Sequence, residues 1–438
     1  MKYRNLLALL MVLAMMLTLC ACGAGGELEA LVEESIAGEA SAAVPDASTA
    51  QSAVTAETEA EPVGIDFATA YAAYEPDTVI FYVGESGVTW QEFFYQIIYQ
   101  ASILAAQEGK AVASWDEPCT FFVDAEGNYA TYGAVVLNSA INTLIQYHII
   151  ENRMVAEGIT MGEEARDAVA QIRASTIDTS FGGDEAAFQE YLASVYCTEE
   201  IWSWFNEVDC TYSYDAFEHF YGEGGSLLSD DEVMEYADGD EVNGAWTEYV
   251  QMKLICIYNE EEIAQAEAET AGETADASQE PAASEEPAEA EEPGEEEISA
   301  ADLLVQILTS EDREDTFDAL YAEYNEEPIL DYYPEGWCVY QGDTDDAIYQ
   351  TALSMEPGDC TMVSITGADV LVMKMPVDPD AGVTVDTTTE TVQTLRYYAA
   401  WQSFSEMVSG ENGWIATDSA KCSWAEGFEN FTLDSAFG

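Results

Sequence analysis

The sequence predicts an α+β chain, and three observations predict it. Apolar residues recur at three- and four-residue spacings through much of residues 93–205, as on helix faces. Short runs rich in β-branched and aromatic residues, Val79–Val83 and Leu254–Tyr258, read as strands. After Tyr258 the pattern stops: residues 260–299 hold 16 acidic residues and no Lys or Arg before a helical pattern resumes. Such a tract has too little apolar surface to offset chain entropy, so it reads as a solvated insertion.

The whole chain has 438 residues, enough for two or three domains. Its 86 acidic and 11 basic residues give a formal net charge of −75, which repels nucleic acid and anionic lipid surfaces alike. At the N-terminus, Lys2 and Arg4 precede the apolar stretch Leu6–Leu19, too short to span a bilayer. Leu19-Cys20-Ala21-Cys22-Gly23 resembles a bacterial lipobox. That resemblance implies cleavage after residue 21, lipid attachment at Cys22, and anchoring on the extracytoplasmic face of a bacterial cell membrane. Residues 22–62 are rich in Ala, Glu, Ser, Gly and Thr and read as a disordered lipid tether. Seven further cysteines, Cys119, Cys197, Cys210, Cys256, Cys338, Cys360 and Cys422, are an odd number with no CxxC spacing. Mostly free, buried thiols are expected, with one or two bridges as the alternative.

The folded part begins near Val63. Thr89 and Glu92 form a capping box, in which each side chain satisfies an orphan backbone donor of the first turn. The helix that follows carries Phe93, Phe94, Ile97, Ile98, Ala101 and Leu104 on one face. A second helix is expected from about Asn138 to Glu157, with Ile141, Leu144, Ile145, His148, Ile149 and Val155 inward and Gly158 at its end. A third is expected to start at a Thr160–Glu163 capping box. Phe181-Gly182-Gly183 reads as a turn, Phe188, Tyr191 and Leu192 as one helix face, and Thr198 as the cap of a helix carrying Ile201, Trp202 and Phe205. His148 and His219 are the only histidines. Neither has a partner at catalytic or metal-ligand spacing, and both read as packing or surface residues. Residues 238–244, DGDEVNG, approach a calcium loop, but Val242 occupies a ligand position and a solvated turn is the better reading. No metal site and no cofactor motif is found.

The order FGGDEAAFQEYL at 181–192, SDDEVMEYAD at 229–238, then the run Tyr249 to Ile255 resembles the extracytoplasmic foldases of the PrsA and SurA type, over roughly residues 78–405. The resemblance implies a helical SurA-N-like chaperone domain, its N-terminal part at 63–248. It further implies a parvulin-class (PpiC-type) peptidyl-prolyl isomerase domain at 249–380, and a segment 381–438 whose helix returns to pack on the chaperone domain. In that frame Leu254–Tyr258 is the first parvulin strand, the acidic tract interrupts a surface loop, and Ser299 caps the helix starting at Ala300. Gly336–Val339 is then the next strand, Ile348–Met355 a short helix, Glu356–Asp359 a turn and Gly367–Met375 the last strand. Thr387 to Glu390 would cap the final helix, with Tyr397, Trp401, Phe404 and Val408 on one face and Val392, Leu395 and Ala399 on another.

The catalytic positions depart from the family. Leu254 and Asp369 stand where active parvulins carry histidines. Glu327 falls near the acidic slot, with Thr344 and Ile348 near the Met and Phe that line the proline pocket. The resemblance therefore implies a folding factor for unfolded or partly folded exported proteins, with weak or absent isomerase activity. An active prolyl isomerase with an atypical site, and a solute- or cation-binding surface lipoprotein, are the alternatives.

Overall fold

The computed structural model describes residues 65–108, 114–123, 129–238, 241–242, 245–246, 248–259, 298–327, 329–386 and 391–433. The leader, Cys22, the tether, nearly all of the acidic tract and the box at 387–390 lie outside those residues. The chain divides into two units, one of residues 1–222 and 401–438, the other of residues 223–400. The divisions fall at 222/223 and 400/401, where the sequence suggested 248/249 and 380/381.

In the first unit, α1 (Phe67–Tyr71) is capped by Asp66, whose carboxylate accepts from Thr69 N at 3.0 Å. Strands β1 (Val79–Val83) and β2 (Ser86–Thr89) pair antiparallel. Helix α2 (Trp90–Glu108) opens on the expected box: Thr89 N donates to Glu92 at 2.6 Å and Glu92 N to Thr89 Oγ1 at 3.4 Å. Phe93, Phe94, Ile97, Ala101 and Leu104 are buried from it, and Ile98 is half-buried. A hairpin not anticipated from sequence follows, β3 (Pro118–Val123) with β4 (Tyr129–Thr131).

Helix α3 runs Tyr132–Ala156, beginning six residues before the expected start, because Thr131 accepts from Ala134 N and so supplies the cap. Gly133 suits the close approach there, since a Cβ would crowd Trp115 at 3.0 Å. Val155, expected inward, is 70% exposed: it sits in the last turn, beyond the buried stripe that ends at Met154. Helix α4 (Glu163–Phe181) does not use the Thr160 box. Gly162 is its N-cap, and Gly162 N instead donates to the Asp215 carboxylate at 2.9 Å. Gly182 ends it in the left-handed conformation (φ 59°), with Gly183 N donating to Ile177 O. Helices α5 (Glu185–Ser194) and α6 (Glu199–Cys210) are capped by Asp184 and Thr198. Without a break, α6 passes into a π-helical turn, Thr211–Ala216, and then into α7 (Phe217–Tyr221).

The second unit opens with α8 (Asp230–Ala237), boxed by Ser229 and Glu232. Two-residue strands β5 (Glu241–Val242) and β6 (Ala245–Trp246) pair, placing Val242 of the DGDEVNG stretch in a hairpin strand. Then come β7 (Val250–Tyr258), α9 (Ala300–Thr309), α10 (Arg313–Tyr324), α11 (Ile329–Tyr332), β8 (Trp337–Val339), α12 (Asp346–Ser354), β9 (Cys360–Ile365) and β10 (Ala368–Met375). Ser299 and Asp302 box the start of α9, as expected. The four strands form an antiparallel sheet ordered β8-β7-β10-β9. Strand β7 starts four residues before Leu254, and β9 was not foreseen. One face of the sheet buries Ile255, Leu371 and Met373 against Leu303, Ile307, Phe317 and Leu320 of α9 and α10. The other buries Met252, Leu254, Val370 and Val372 against Ile348, Tyr349 and Ala352 of α12.

Strands β11 (Gly382–Asp386) and β12 (Thr391–Thr394) pair where the last helix was expected to begin. Val392 is therefore a strand residue, and helix α13 is Leu395–Ser409. Leu395 and Ala399 pack on Val233, Ala237, Tyr249, Ala381 and Val383 inside the second unit, not on the N-terminal helices. Gly225 (φ +85°) lies against this turn; a Cβ there would stand 2.8 Å from Arg396 O. The remainder of α13 belongs to the first unit, where Phe404 meets Tyr212 and Phe217. Helix α14 (Trp414–Ser419) and β13 (Cys422–Trp424) complete it, β13 pairing with β1 so that Phe81 faces Trp424. The tail continues the core: Phe431 packs on Phe93 and Trp90. All seven described cysteines are free and five are buried. Among the described residues no helix is long and apolar enough to cross a membrane.

Candidate functional site

Of the positions that the resemblance aligns with the catalytic ones, Leu254 and Asp369 sit on the sheet of the second unit. Leu254 is buried on β7 and pairs with Val372 of β10. Asp369 pairs with Ile257. Side chains alternate along a strand, and Val372 and Asp369 are three residues apart, so Leu254 and Asp369 project from opposite faces of the sheet. Leu254 does meet Ile348, but inside a closed apolar cluster with Val250, Met252, Val339 and Val363. Tyr349 brings a hydroxyl to that cluster, and it is used: it donates to Glu248 O at 2.7 Å. Thr344 is half-buried in the turn before α12.

Asp369, half-buried on the other face, accepts from Ser364 Oγ at 2.5 Å across the β9–β10 pair. Glu327 lies past the end of α10, where the chain runs along the part of β7 that the short β8 does not cover. There Cys256 N donates to Asn325 Oδ1 at 2.8 Å, Glu326 N to Cys256 O at 3.1 Å, and Tyr258 N to Glu326 at 2.6 Å. Glu327 itself accepts from the Tyr258 hydroxyl at 2.9 Å, which raises the Tyr258 pKa. Leu254 and Ile348 are thus brought together; Asp369 and Glu327 join neither them nor each other by any hydrogen bond. Twisting an X–Pro amide across a barrier of about 20 kcal/mol requires polar groups converging on one desolvated point. These positions present apolar packing on one face and a half-buried carboxylate, already bonded to Ser364, on the other.

His148 is a core residue of the first unit. Its ring lies 4.7 Å from that of Trp204, with Nδ1 3.7 Å from Glu151 and Nε2 3.9 Å from Glu92. His219 is exposed beside a shallow opening of about 340 Å³ lined also by Ile159, Thr160, Asp215 and Glu218. A larger open depression, about 610 Å³, is lined by Arg153, Glu406, Met407 and Trp414 among others. Arg153 is occupied there, its Nε 2.7 Å from Asp418 Oδ2. Thr160 and His219 line the smaller opening without a hydrogen bond between them, and in the larger the Thr417 hydroxyl donates to Gly413 O at 2.8 Å and not to Glu406. Among the described residues no group of three His, Cys, Asp or Glu side chains is placed to hold a metal ion.

Two charged groups had no signal in the sequence. Lys253 is buried against α10, and Asp209, half-buried in the last turn of α6, faces Tyr147. Burial pushes the Asp209 carboxyl up to about 7, although the Tyr147 hydroxyl donates to it at 2.8 Å and opposes the shift. A carboxyl whose folded pKa lies above its unfolded value near 3.8 imposes no penalty below that value. The penalty grows as pH rises between the two and is complete above about 7. Asp209→Asn keeps an acceptor for Tyr147 and removes the charge. The variant is expected to melt with the wild type near pH 4 and above it at pH 8. Paired thermal melts across that range check this, and a gap independent of pH would refute it.

No protein-family profile matches the chain, and no curated protein matches it. Among solved structures, it is similar to the foldase protein PrsA from Streptococcus pneumoniae: 11% identity over 64% of this chain and 81% of that one, with a TM-score of 0.24. It is similar in the same degree to PrsA from Bacillus subtilis: 11% identity, 69% of this chain and 92% of that one, TM-score 0.23. A likeness at that level assigns neither a site nor an activity.

Proposed function

We propose that the protein is a lipid-anchored, extracytoplasmic folding factor that holds unfolded or partly folded exported chains without turning over X–Pro bonds. One observation carries the reading. The second unit carries the elements that the sequence resemblance implies in their expected order, strand, helices, strand, short helix, turn and last strand, with one further strand, β9, between the turn and the last strand. Yet the positions at which that family isomerises proline hold a packed apolar core, Leu254 with Ile348, while Asp369 projects from the opposite face. Holding a chain needs accessible apolar surface but no catalytic network. Cys22 and the leader before it supply the anchor in this reading.

The test is a pair of assays on the purified mature chain. A prolyl-peptide assay is expected to show the uncatalysed rate, with isomerisation over tens of seconds at 25 °C. An aggregation assay with a chemically unfolded client is expected to show slowed light scattering at about equimolar protein. Rapid isomerisation abolished by Asp369→Ala or Glu327→Ala would make this an enzyme with a substituted site. Failure to slow aggregation would remove the holding role.

A further inference from the structure

The β3–β4 hairpin of the first unit carries apolar side chains where none should be exposed. Its base is anchored, with Cys119 fully buried and Trp115 6% exposed. Tyr132 N donates to Glu117 O and Gly133 N to Trp115 O, tying the start of α3 to the same base. Above the base, Phe121 is 44% exposed, Phe122 37% and Tyr129 56%. Phe121 and Phe122 are consecutive strand residues, so their side chains leave opposite faces. A hairpin with one face on a core buries one of two such neighbours, and this one buries neither.

We propose that Phe121, Phe122 and Tyr129 form a docking surface for extended, cationic and apolar-rich segments of another polypeptide. The proposal rests on the holding function above and assigns it a surface. Aromatic rings offer apolar area at small entropic cost, and the hairpin presents them on both of its faces. Charge selects the occupant. Residues 65–152, which include the hairpin, contain 11 acidic residues and a single Lys, and Asp116 is exposed at the hairpin base. A second copy brings the same net charge of −75, and an anionic bilayer is repelled in the same way. A segment alternating Lys or Arg with Leu, Phe or Val satisfies both the rings and the field.

The experiment uses the full mature chain and three fluorescent 12-residue peptides: one of alternating Lys and Leu/Phe, one with every Lys replaced by Glu, and one with every apolar residue replaced by Ser. Binding is read by anisotropy at low and high salt. The Lys-apolar peptide is expected to bind, more weakly at high salt, and at least tenfold more tightly than either control. Phe121→Ser/Phe122→Ser/Tyr129→Ser is expected to weaken it at least tenfold while the thermal melt stays close to that of the wild type. Phe121→Leu/Phe122→Leu/Tyr129→Leu, which keeps apolar area, is expected to retain most of the binding. Equal binding by the Ser variant, or equal binding of the Glu peptide, overturns the proposal. So does a dimer seen by analytical ultracentrifugation that the Ser variant abolishes, or flotation with phosphatidylcholine vesicles that the Ser variant abolishes while peptide binding persists. The aggregation assay separates this inference from the broader one. A Ser variant that still protects clients removes the hairpin's role and leaves holding intact; a wild type that does not protect removes the holding function itself.

Discussion

Phe404→Ala is expected to lower the melting temperature of the first unit by roughly 8–16 °C, from a loss of about 4 kcal/mol. Phe404 is fully buried on α13. Its ring stacks on Tyr212 at 4.6 Å and meets Trp401 at 5.7 Å and Phe217 at 5.8 Å, with Tyr221, Phe220 and Trp414 in an outer ring at 6.0–6.4 Å. Removing a phenyl ring from such a site loses its transfer free energy and leaves a cavity that stiff aromatic neighbours close poorly. Each lost ring pair adds about 0.5–1.5 kcal/mol beyond area. Phe404→Leu keeps most of the volume and is expected to cost less than about 1.5 kcal/mol. Near-UV circular dichroism reports on these rings, and an alanine variant melting within about 2 °C of the wild type would show that the cluster collapses without strain.

That cluster also marks where sequence reading stops. Tyr397, Trp401, Phe404 and Val408 were legible as one apolar face because 3.6-residue periodicity is local. Their partners were not, because Tyr212 lies on a π-helical turn, a rare departure from the 3.6-residue period by which helix faces are read. The same contrast runs through the chain. Thr89 with Glu92, Thr198, and Ser299 cap helices as expected, since a cap is settled within four residues. The Thr160–Glu163 box has the same letters and does not form: the helix begins only at Glu163, with Gly162 as its N-cap and no side-chain cap. Thr391–Thr394 was read into a helix and is a strand, its β-branched residues being indifferent until Gly382–Asp386 comes alongside. The short β9 and the β3–β4 hairpin depend in the same way on partners.

The candidate positions turn on register. A match made along the sequence put Leu254 and Asp369 in the positions of two cooperating side chains. Whether two residues on paired strands share a face is decided by the pairing, and an odd offset puts them on opposite sides. Leu254 against Val372 supplies that offset. The residue next to Leu254 could not be foreseen as important at all: a lone Lys253 in an apolar strand reads as an exposed charge, yet its side chain is 2% exposed.

Removing both carboxylates that face Lys253 is expected to destabilise the second unit by about 3 kcal/mol at neutral pH. Lys253 Nζ lies 2.8 and 2.9 Å from the two oxygens of Asp318 and 3.1 Å from Glu314 Oε1. Burial lowers the ammonium pKa, and the hydrogen bonds it donates to Asp318 and Glu314 outweigh that, so the net shift is upward. In Glu314→Gln/Asp318→Asn the burial remains and the compensation is gone. The carboxylates are half-exposed, 49% each, so water compensates part of the loss, which holds the figure below the upper range for a fully buried pair. Lys253→Met is expected to be near neutral, because the carboxylates return to solvent and the methionine fits a face already lined by Met373 and Ile255. Added to the Gln/Asn variant, Lys253→Met is expected to restore most of the lost stability, which a purely steric defect would not allow. The pH dependence has a fixed sign. A lysine whose folded pKa is raised contributes stability fully present below its unfolded value near 10.5 and lost as pH rises through the folded value. The gap between wild type and the Gln/Asn variant is therefore widest at neutral pH, narrows as the unpaired lysine of the variant deprotonates and its burial stops costing charge, and closes only above the raised folded value of the wild type. Urea melts of the four proteins at pH 7 and pH 10.5 measure it. A deficit unchanged by pH, or unrelieved by Lys253→Met, would show that Glu314 and Asp318 act through packing alone.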